Sequence, residues 1–227
     1  MKNINKIRNL SIWIFIVPLA ALNLCLILIT NFHQLFNPEH VIFSTIPYID
    51  GGVSISRTAR VFPTYLIFKP AMFITAFLLI KYWKLNYNLM QKVKSSFSYR
   101  KFFLFFGIGS AILLILHSIF LGVKFDNDFY KLFRRLVIAS FIFFEVLAQT
   151  FLVINLYKVK NKITKFINTK ILNLKISLVS ILIIVAIVSL PIVSSAGNVH
   201  FKHALEWDYF VGVISFYLLT FFFWKRN

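Results

Sequence analysis

The chain has 227 residues, of which 59% are hydrophobic and 14% charged, and its mean hydropathy is +0.79. Soluble domains carry about 45–50% apolar and about 25% charged residues, so this composition excludes a soluble globular protein. The net charge of +18 suits nucleic-acid binding, but the basic residues lie between apolar runs without a nucleic-acid-binding motif, so we expect no nucleic-acid partner. The single cysteine, Cys25, excludes an intramolecular disulfide, and we expect no metal site and no cofactor.

Six apolar segments are each long enough to cross a bilayer, which takes about 20 mainly apolar residues. They predict an all-α, polytopic membrane protein that forms one domain over residues 1–227. The first segment is longer than the apolar part of a cleaved signal peptide, so we predict a retained helix. The predicted spans are residues 10–30, 61–80, 102–121, 136–156, 176–193 and 204–224.

The longest connection, residues 31–60, separates the first two spans. Its prolines and glycines predict a non-helical loop. The span that follows contains Pro70, which lacks a backbone donor and therefore predicts a kink or interruption there.

The distribution of charge predicts the orientation of the chain. Of the 25 lysines and arginines, 17 fall on the side of the two termini and 7 on the opposite side, while Lys69 lies within a span. The seven acidic residues belong to the opposite side or to the spans. The positive-inside rule therefore places both termini in the cytoplasm and the 31–60 loop outside. We expect an integral membrane protein of an endomembrane or plasma membrane, or of a bacterial inner membrane, with membrane lipids as partners.

Ionisable side chains within spans are the best pointers to function, because each costs about 2.5–3.5 kcal/mol at the membrane centre. Glu145 lies in the middle of the fourth span and shares a helical face with Gln149. We predict that it pairs with Lys69 or His117, either as a proton-linked or substrate-binding carboxylate or as a structural hydrogen-bond partner. His117 suits either a ligand or a packing role. Lys69 reaches either the interface, a carboxylate or a lipid phosphate.

The sixth span opens with a second polar group. His203 and Glu206 share one face, whereas Asp208 points elsewhere, and an ordinary helix start with Trp207 at the interface is the alternative interpretation. These residues and the 31–60 loop predict one outer polar cavity for a lipid headgroup that is anionic or glycosylated. The candidate catalytic residues are His117, Glu145, His203 and Glu206. The candidate lipid-binding residues are Asp50, Arg57, Arg60, Lys69 and Asp208.

Two short segments resemble a known family. Ile46-Pro-Tyr-Ile-Asp-Gly-Gly52, followed by Arg57-Thr-Ala-Arg-Val-Phe62, is similar to the outer-loop segment of the DRAM-like proteins, and His203-Ala-Leu-Glu-Trp207 is similar to their Glu-Trp or Glu-Tyr motif. Asp50 stands where that family usually has serine. The family includes autophagy modulators and membrane proteins of GPI-anchor lipid remodelling. The resemblance implies six spans, cytoplasmic termini and a role in handling lipids or GPI-anchored lipids.

Three classes of function therefore stay open. The leading hypothesis is a protein that binds or helps to remodel a lipid or GPI-type anchor through the outer cavity, where histidine and carboxylate suit acid–base chemistry. The second is a small proton-coupled transporter that uses Glu145, Lys69 and His117. The third is a non-catalytic membrane scaffold. No spacing resembles a metalloprotease helix, a serine nucleophile elbow or a nucleotide-binding loop.

Overall fold

The computed structural model describes residues 2–123, 127–195 and 197–225. Lys124, Asp126 and Arg226, which contribute to the charge count, lie outside the described residues. Within those ranges the fold is all-helical, as predicted. The α-helices are α1 (Lys2–Asn31), α2 (Pro47–Asp50), α3 (Ile55–Arg60), α4 (Tyr65–Lys92), α5 (Phe97–Phe120), α6 (Asp128–Ile163), α7 (Thr169–Ser194) and α8 (Val199–Phe223).

In the described part of the chain, six of these helices are long and apolar enough to cross a membrane: α1, α4, α5, α6, α7 and α8. Their most apolar windows have mean hydropathies between 1.3 and 2.9. The predicted number of spanning helices is therefore confirmed, and the fold is consistent with an integral multi-pass membrane protein. The side of the membrane on which the termini lie stays a prediction.

Several helices continue beyond the predicted spans. Hydropathy ends the second span at residue 80, whereas α4 continues to Lys92, and α6 covers residues 128–163 rather than 136–156. Hydropathy reports where lipid contact ends, but a helix stops only where its backbone hydrogen bonding stops. The lysines and glutamine beyond the apolar residues are good helix formers, so the helices extend into the headgroup region.

The prediction of a non-helical 31–60 loop is wrong in part, because α2 and α3 lie within it. Pro47 opens α2, where its missing amide hydrogen costs nothing, and Gly51 ends it with a left-handed φ of 61°. Ser54 caps α3 by accepting a hydrogen bond from the Arg57 amide at 3.2 Å. Pro70 lies inside α4 and does not interrupt it.

The helices pack around one apolar core. Helix α1 contacts α4 and α8, α5 lies between α4 and α6, and α7 contacts α6 and α8. Large aromatic side chains fill the centre, among them Tyr82, Trp83, Trp207, Phe216 and Tyr217. Helix α7 lies at the periphery of the bundle. Only 11% of its most apolar 18-residue segment is buried, compared with 33–39% in the other five long helices.

The two ends of the bundle differ in their connections. The end that carries α2 and α3, which we call the loop end, also holds the beginnings of α4, α6 and α8. At the other end, which we call the lysine end, the α6–α7 connection is bound to the end of α8. There the Asn168 amide donates to the Phe223 carbonyl at 2.8 Å, and the Lys225 amide donates to the Phe166 carbonyl at 2.9 Å.

Candidate functional site

The two segments that resemble the DRAM-like family contact each other at the loop end. Nδ1 of His203 lies 3.0 Å from the Gly51 carbonyl oxygen, and the Trp207 indole donates to the Val53 carbonyl at 2.8 Å. The Glu206 carboxylate accepts hydrogen bonds from the backbone amides of Ile55 and Ser56. We call this region, residues 45–56 together with His200–Trp207, the loop–α8 contact.

Gly51 is the closest point of this contact. A Cβ atom at this residue would lie 1.7 Å from the His200 carbonyl oxygen, so the loop backbone packs directly on the first turn of α8. The positive φ of Gly51 is a second reason for glycine there, because other residues rarely adopt it.

Asp50 organises the turn that precedes this contact. Its carboxylate accepts hydrogen bonds from Thr45 Oγ1 at 2.6 Å and from the amides of Ile46 and Gly52 at 2.8 Å. These hydrogen bonds, that from Thr45 first, lower the pKa of the Asp50 carboxyl group. The sequence predicts a lipid-binding role for Asp50, but its oxygens are occupied within the loop.

The remaining α8 candidate, Asp208, is exposed on the same helix. Its charge acts on Tyr48, whose ring packs edge-on against Trp207 with centroids 5.0 Å apart. The sequence also predicts that His203 and Glu206 form an outer cavity together with the 31–60 loop. They instead hold the loop onto α8.

A second polar region at the loop end is an open pocket of about 350 Å³, which we call the basic pocket. It lies where α3, α4 and α5 meet, and the turn after α5 forms its floor with the left-handed Gly122. Its lining residues are Arg60, Tyr65, Lys69, Leu121, Gly122 and Val123. The Lys69 ammonium group donates to the Ile119 carbonyl at 3.4 Å, which fixes it at the rim.

Positive charges converge on this pocket from three helices. Partial burial, and then the charges of Arg134 and Arg57, lower the pKa of the Arg60 guanidinium. The charge of Arg134, which belongs to α6, also acts on His117. The buried Nε of Arg134 has no hydrogen-bond partner among the described residues.

Carboxylates do not neutralise this cluster in the described part of the chain. His40 and Glu39 form a salt bridge at 3.4 Å, and it is the one found within residues 2–123, 127–195 and 197–225. None of the described carboxylates lies within ion-pair distance of Arg57, Arg60, Lys69 or Arg134. Within the described residues, the pocket thus carries the positive charges of Arg60 and Lys69 without an ion-pair partner.

A third polar region is buried in the bundle and contains Glu145. Its Oε2 accepts from Ser110 at 2.6 Å, and its Oε1 accepts from Gln149 at 3.1 Å and from the Tyr217 hydroxyl. The shared face of Glu145 and Gln149 is confirmed. The predicted pairing of Glu145 with Lys69 or His117 is wrong, because α5 and α8 supply its partners instead.

Lys175 is a buried ionisable residue that the sequence analysis missed. The charge pattern assigns it to a cytoplasmic loop, but it lies in α7 with none of its surface exposed. Its ammonium group donates to Thr220 Oγ1 at 2.7 Å and lies 3.8 Å from the centre of the Phe216 ring. Thr220 is also 3.3 Å from the Tyr82 hydroxyl.

Periodicity contained the signal for Lys175. The buried residues of α7 are Leu172, Lys175, Val179 and Leu182, which follow the spacing of one helical face. A lysine in such a series is buried unless the helix ends before it. We use the name core network for the polar side chains that connect Lys175 with Glu145: Ser110, Gln149, Glu145, Tyr217, Tyr82, Thr220 and Lys175.

Comparison with known proteins finds no relative of the chain. No protein-family model, curated protein or solved structure matches the chain. The resemblance to the DRAM-like family thus stays a prediction, and the functional argument rests on the residues themselves.

Proposed function

We propose that the protein binds the phosphate group of an anionic membrane lipid in the basic pocket. The observation that carries this proposal is that Arg60 and Lys69 line the pocket, and that the charge of Arg134 acts on Arg60, without a carboxylate partner in the described residues. Like charges held together repel one another, so an anion that enters between them removes an unfavourable interaction and adds hydrogen bonds.

Phosphate matches the geometry of these donors. Each guanidinium offers paired N–H donors that match two phosphate oxygens, and the lysine adds a compact charge. The buried Nε of Arg134 is a donor whose hydrogen-bonding capacity is unused within the described residues. An anion at the pocket would give it an acceptor.

The surroundings favour a lipid over a free anion. The Phe62 ring, whose centre lies 6.2 Å from that of the pocket residue Tyr65, has 62% of its surface exposed. Exposed aromatic residues beside cationic ones are typical of the membrane interface, where rings contact acyl chains and cations contact headgroups. With the predicted orientation, the bound lipid belongs to the leaflet away from the cytoplasm.

Lipid remodelling, including that of a GPI-type anchor, stays a prediction beyond this proposal. His117 is the candidate acid–base residue for that chemistry, since the charge of Arg134 acts on both His117 and the pocket residue Arg60. His203 and Glu206 bind the loop and Glu145 belongs to the core network, so their contacts support roles other than headgroup chemistry.

Lipid retention tests the proposal. Wild type, Arg60→Gln, Lys69→Gln and Arg134→Gln are purified in mild detergent, and the lipids that remain bound are identified by mass spectrometry. Arg135→Gln is the matched control, because it removes an exposed charge one residue from Arg134. We expect one anionic lipid class to be enriched over the host membrane and to fall about tenfold in each pocket variant, since a charged hydrogen bond contributes about 1.5–3 kcal/mol.

The control variant should keep the wild-type lipid profile. Arg60→Lys should retain an intermediate amount, because it preserves the charge and loses the paired donors. Identical lipid profiles in the wild type and all variants, each equal to the host membrane, would contradict a specific site.

A further inference from the structure

We propose that the core network is an internal proton-transfer path, with Lys175 as its end nearer the lysine end of the bundle and Glu145 as its end in the middle. This activity is separate from lipid binding at the basic pocket. Thr220, Tyr82 and Tyr217 supply the hydroxyl groups between the two ends.

The two ends are ionisable groups inside the apolar bundle. Glu145 has 1% of its surface exposed and Lys175 has none. Glu145 lies near the middle of α6, and Lys175 lies in the second turn of α7, about 9 Å along the axis from its first residue. Such groups are costly in a membrane interior and mark proton or ion pathways when they occur there.

Hydroxyl groups bridge most of the distance between them. Lys175 donates to Thr220 at 2.7 Å, and Thr220 lies 3.3 Å from the Tyr82 hydroxyl. The Thr220 hydroxyl hydrogen is donated to the Phe216 carbonyl at 2.8 Å, so Tyr82 is the donor in its contact with Thr220. At the other end, the Tyr217 hydroxyl donates to Glu145.

The remaining step joins the two tyrosines. Their rings pack edge-on with centroids 5.1 Å apart, but their hydroxyl groups are not hydrogen-bonded to each other in the described part of the chain. Two residues beside these tyrosines have buried polar atoms without a partner among the described residues: Trp83 Nε1 and Gln149 Oε1. The ring centre of Trp83 itself lies 6.5 Å from that of Tyr217. Unsatisfied polar atoms of this kind are the usual partners of ordered water, so the proposal includes one water molecule between the two phenol groups.

The transfer conserves atoms and charge. The Thr220 hydroxyl first rotates from the Phe216 carbonyl toward Tyr82, and the Tyr82 hydroxyl rotates away from Thr220. The Lys175 ammonium then gives one proton to the Thr220 oxygen, and Thr220 passes its own hydroxyl proton to Tyr82. Tyr82 passes its proton to a water molecule, which passes one of its own protons to Tyr217. Tyr217 then protonates the Glu145 carboxylate. The result is a neutral amine, a neutral carboxylic acid and three regenerated hydroxyl groups, and Lys175 regains a proton from the aqueous lysine end.

Few other titratable groups face this path within the described residues. Around Glu145, α5 contributes the neutral Ser110, and α4 and α8 contribute Tyr82 and Tyr217. Near the end of α8, α1 contributes Arg8, whose guanidinium lies 4.3 Å from the Phe221 ring centre and donates to the Phe221 carbonyl. The hydroxyl chain is thus the route that joins the two ends.

Time-resolved infrared spectroscopy tests the path. Purified protein in lipid nanodiscs is subjected to a rapid drop in pH, and the carboxylic acid band that is absent from Glu145→Gln reports protonation of Glu145. The variants Thr220→Val and Tyr82→Phe each remove one hydroxyl group and change the side-chain shape little. We expect both to slow protonation by about 100-fold, the lower end of what positioned groups contribute to proton transfer.

Lys175→Met should slow protonation equally. The matched controls are Thr150→Val, whose hydroxyl bonds within α6, Tyr87→Phe on α4 and Lys170→Met at the start of α7. They should protonate Glu145 at the wild-type rate, and thermal unfolding identifies any variant that fails to fold. A wild-type rate in Thr220→Val and Tyr82→Phe, or a Glu145 carboxyl that never responds to pH, would overturn the proposal.

Discussion

The loop–α8 contact and the basic pocket lie at the same end of the bundle, but the polar groups have partners within the protein in the first region and lack carboxylate partners in the second. In the loop–α8 contact, Asp50, Glu206 and Trp207 are bound to backbone groups of the loop. At the basic pocket, the charges of Arg134 and Arg57 act on Arg60, which has no carboxylate partner in the described residues.

The difference separates structural polar residues from candidate ligand-binding ones. A buried or half-buried polar group with internal partners stabilises the fold, and its removal leaves backbone groups unpaired. A cluster of like charges destabilises the fold by repulsion and persists where a ligand offsets it. Substitutions in the two regions should therefore change stability in opposite directions.

The largest effect is expected for Gly51→Ala. The new methyl group would meet the His200 carbonyl oxygen at 1.7 Å, and neither backbone segment can move without breaking the contact. We expect a loss of about 4 kcal/mol or more in stability, the range of a forced clash with backbone. Thermal unfolding in detergent and proteolysis of residues 45–56 measure it.

Gly197→Ala is the matched control for this substitution. Gly197 has the same left-handed backbone, with φ of 85°, but apart from its chain neighbours none of the described residues lies within 4 Å of the position that a Cβ atom would take there. It should cost about 1–2 kcal/mol, the strain of the backbone alone. Equal losses for the two glycines would show that the tight contact with His200 contributes nothing.

A smaller effect is expected for Glu206→Ala. It removes the acceptor of the Ile55 and Ser56 amides at the start of α3, and each unpaired donor costs about 1–3 kcal/mol. Hydrogen exchange of these two amides should accelerate, while that of α5 stays unchanged. Asp208→Ala, which removes an exposed carboxylate two residues away, should leave both amides protected.

The opposite sign is expected for Arg60→Gln in lipid-free protein. Removing one of several unpaired like charges relieves repulsion with Arg134 and Arg57, so stability should rise by about 0.5 kcal/mol. Added salt should raise the stability of wild type more than that of the variant, because salt screens the same repulsion that the substitution removes. A loss of stability on this substitution would mean that Arg60 has a structural partner.

The smallest effect concerns acidification of the loop. The folded-state pKa of Asp50 is lowered by its three hydrogen bonds, so its contribution to stability is complete above the unfolded pKa of about 3.9 and is lost as the pH falls through the folded pKa. Proteolysis of residues 45–56 should therefore increase below about pH 4 in wild type. In Asp50→Asn, cleavage should be faster than in wild type at neutral pH and should not increase with acid. Parallel pH profiles for the two proteins would contradict this role.

Hydropathy was sufficient to predict the six long helices, because lipid contact imposes a strong and local requirement on each segment. It could not predict that α4 continues to Lys92, since helix propensity and lipid contact end at different residues. It also missed α2 and α3, whose helical turns depend on Pro47, Gly51 and the Ser54 cap rather than on an apolar run.

The sequence was sufficient to predict many of the polar residues of the site, but not which of them contact one another. Spacing along one helix brought Glu145 and Gln149 together, because that relation is local. The partners of Glu145 on other helices depend on how those helices pack, and Ser110 and Tyr217 carry no charge to attract attention. Lys175 was missed because it ends a run of lysines that belongs to the headgroup region, although its spacing matches the buried face of α7.

The peripheral position of α7 has a consequence for the membrane around the protein. In a bilayer, acyl chains rather than neighbouring helices cover most of this helix, including the exposed Ile184, Ile187 and Val188. Bilayer thickness therefore acts on the tilt of α7 more directly than on any of the better-buried helices. Helix α7 also carries Lys175, which donates to Thr220. A change in bilayer thickness that tilts α7 therefore changes the geometry of this hydrogen bond as well.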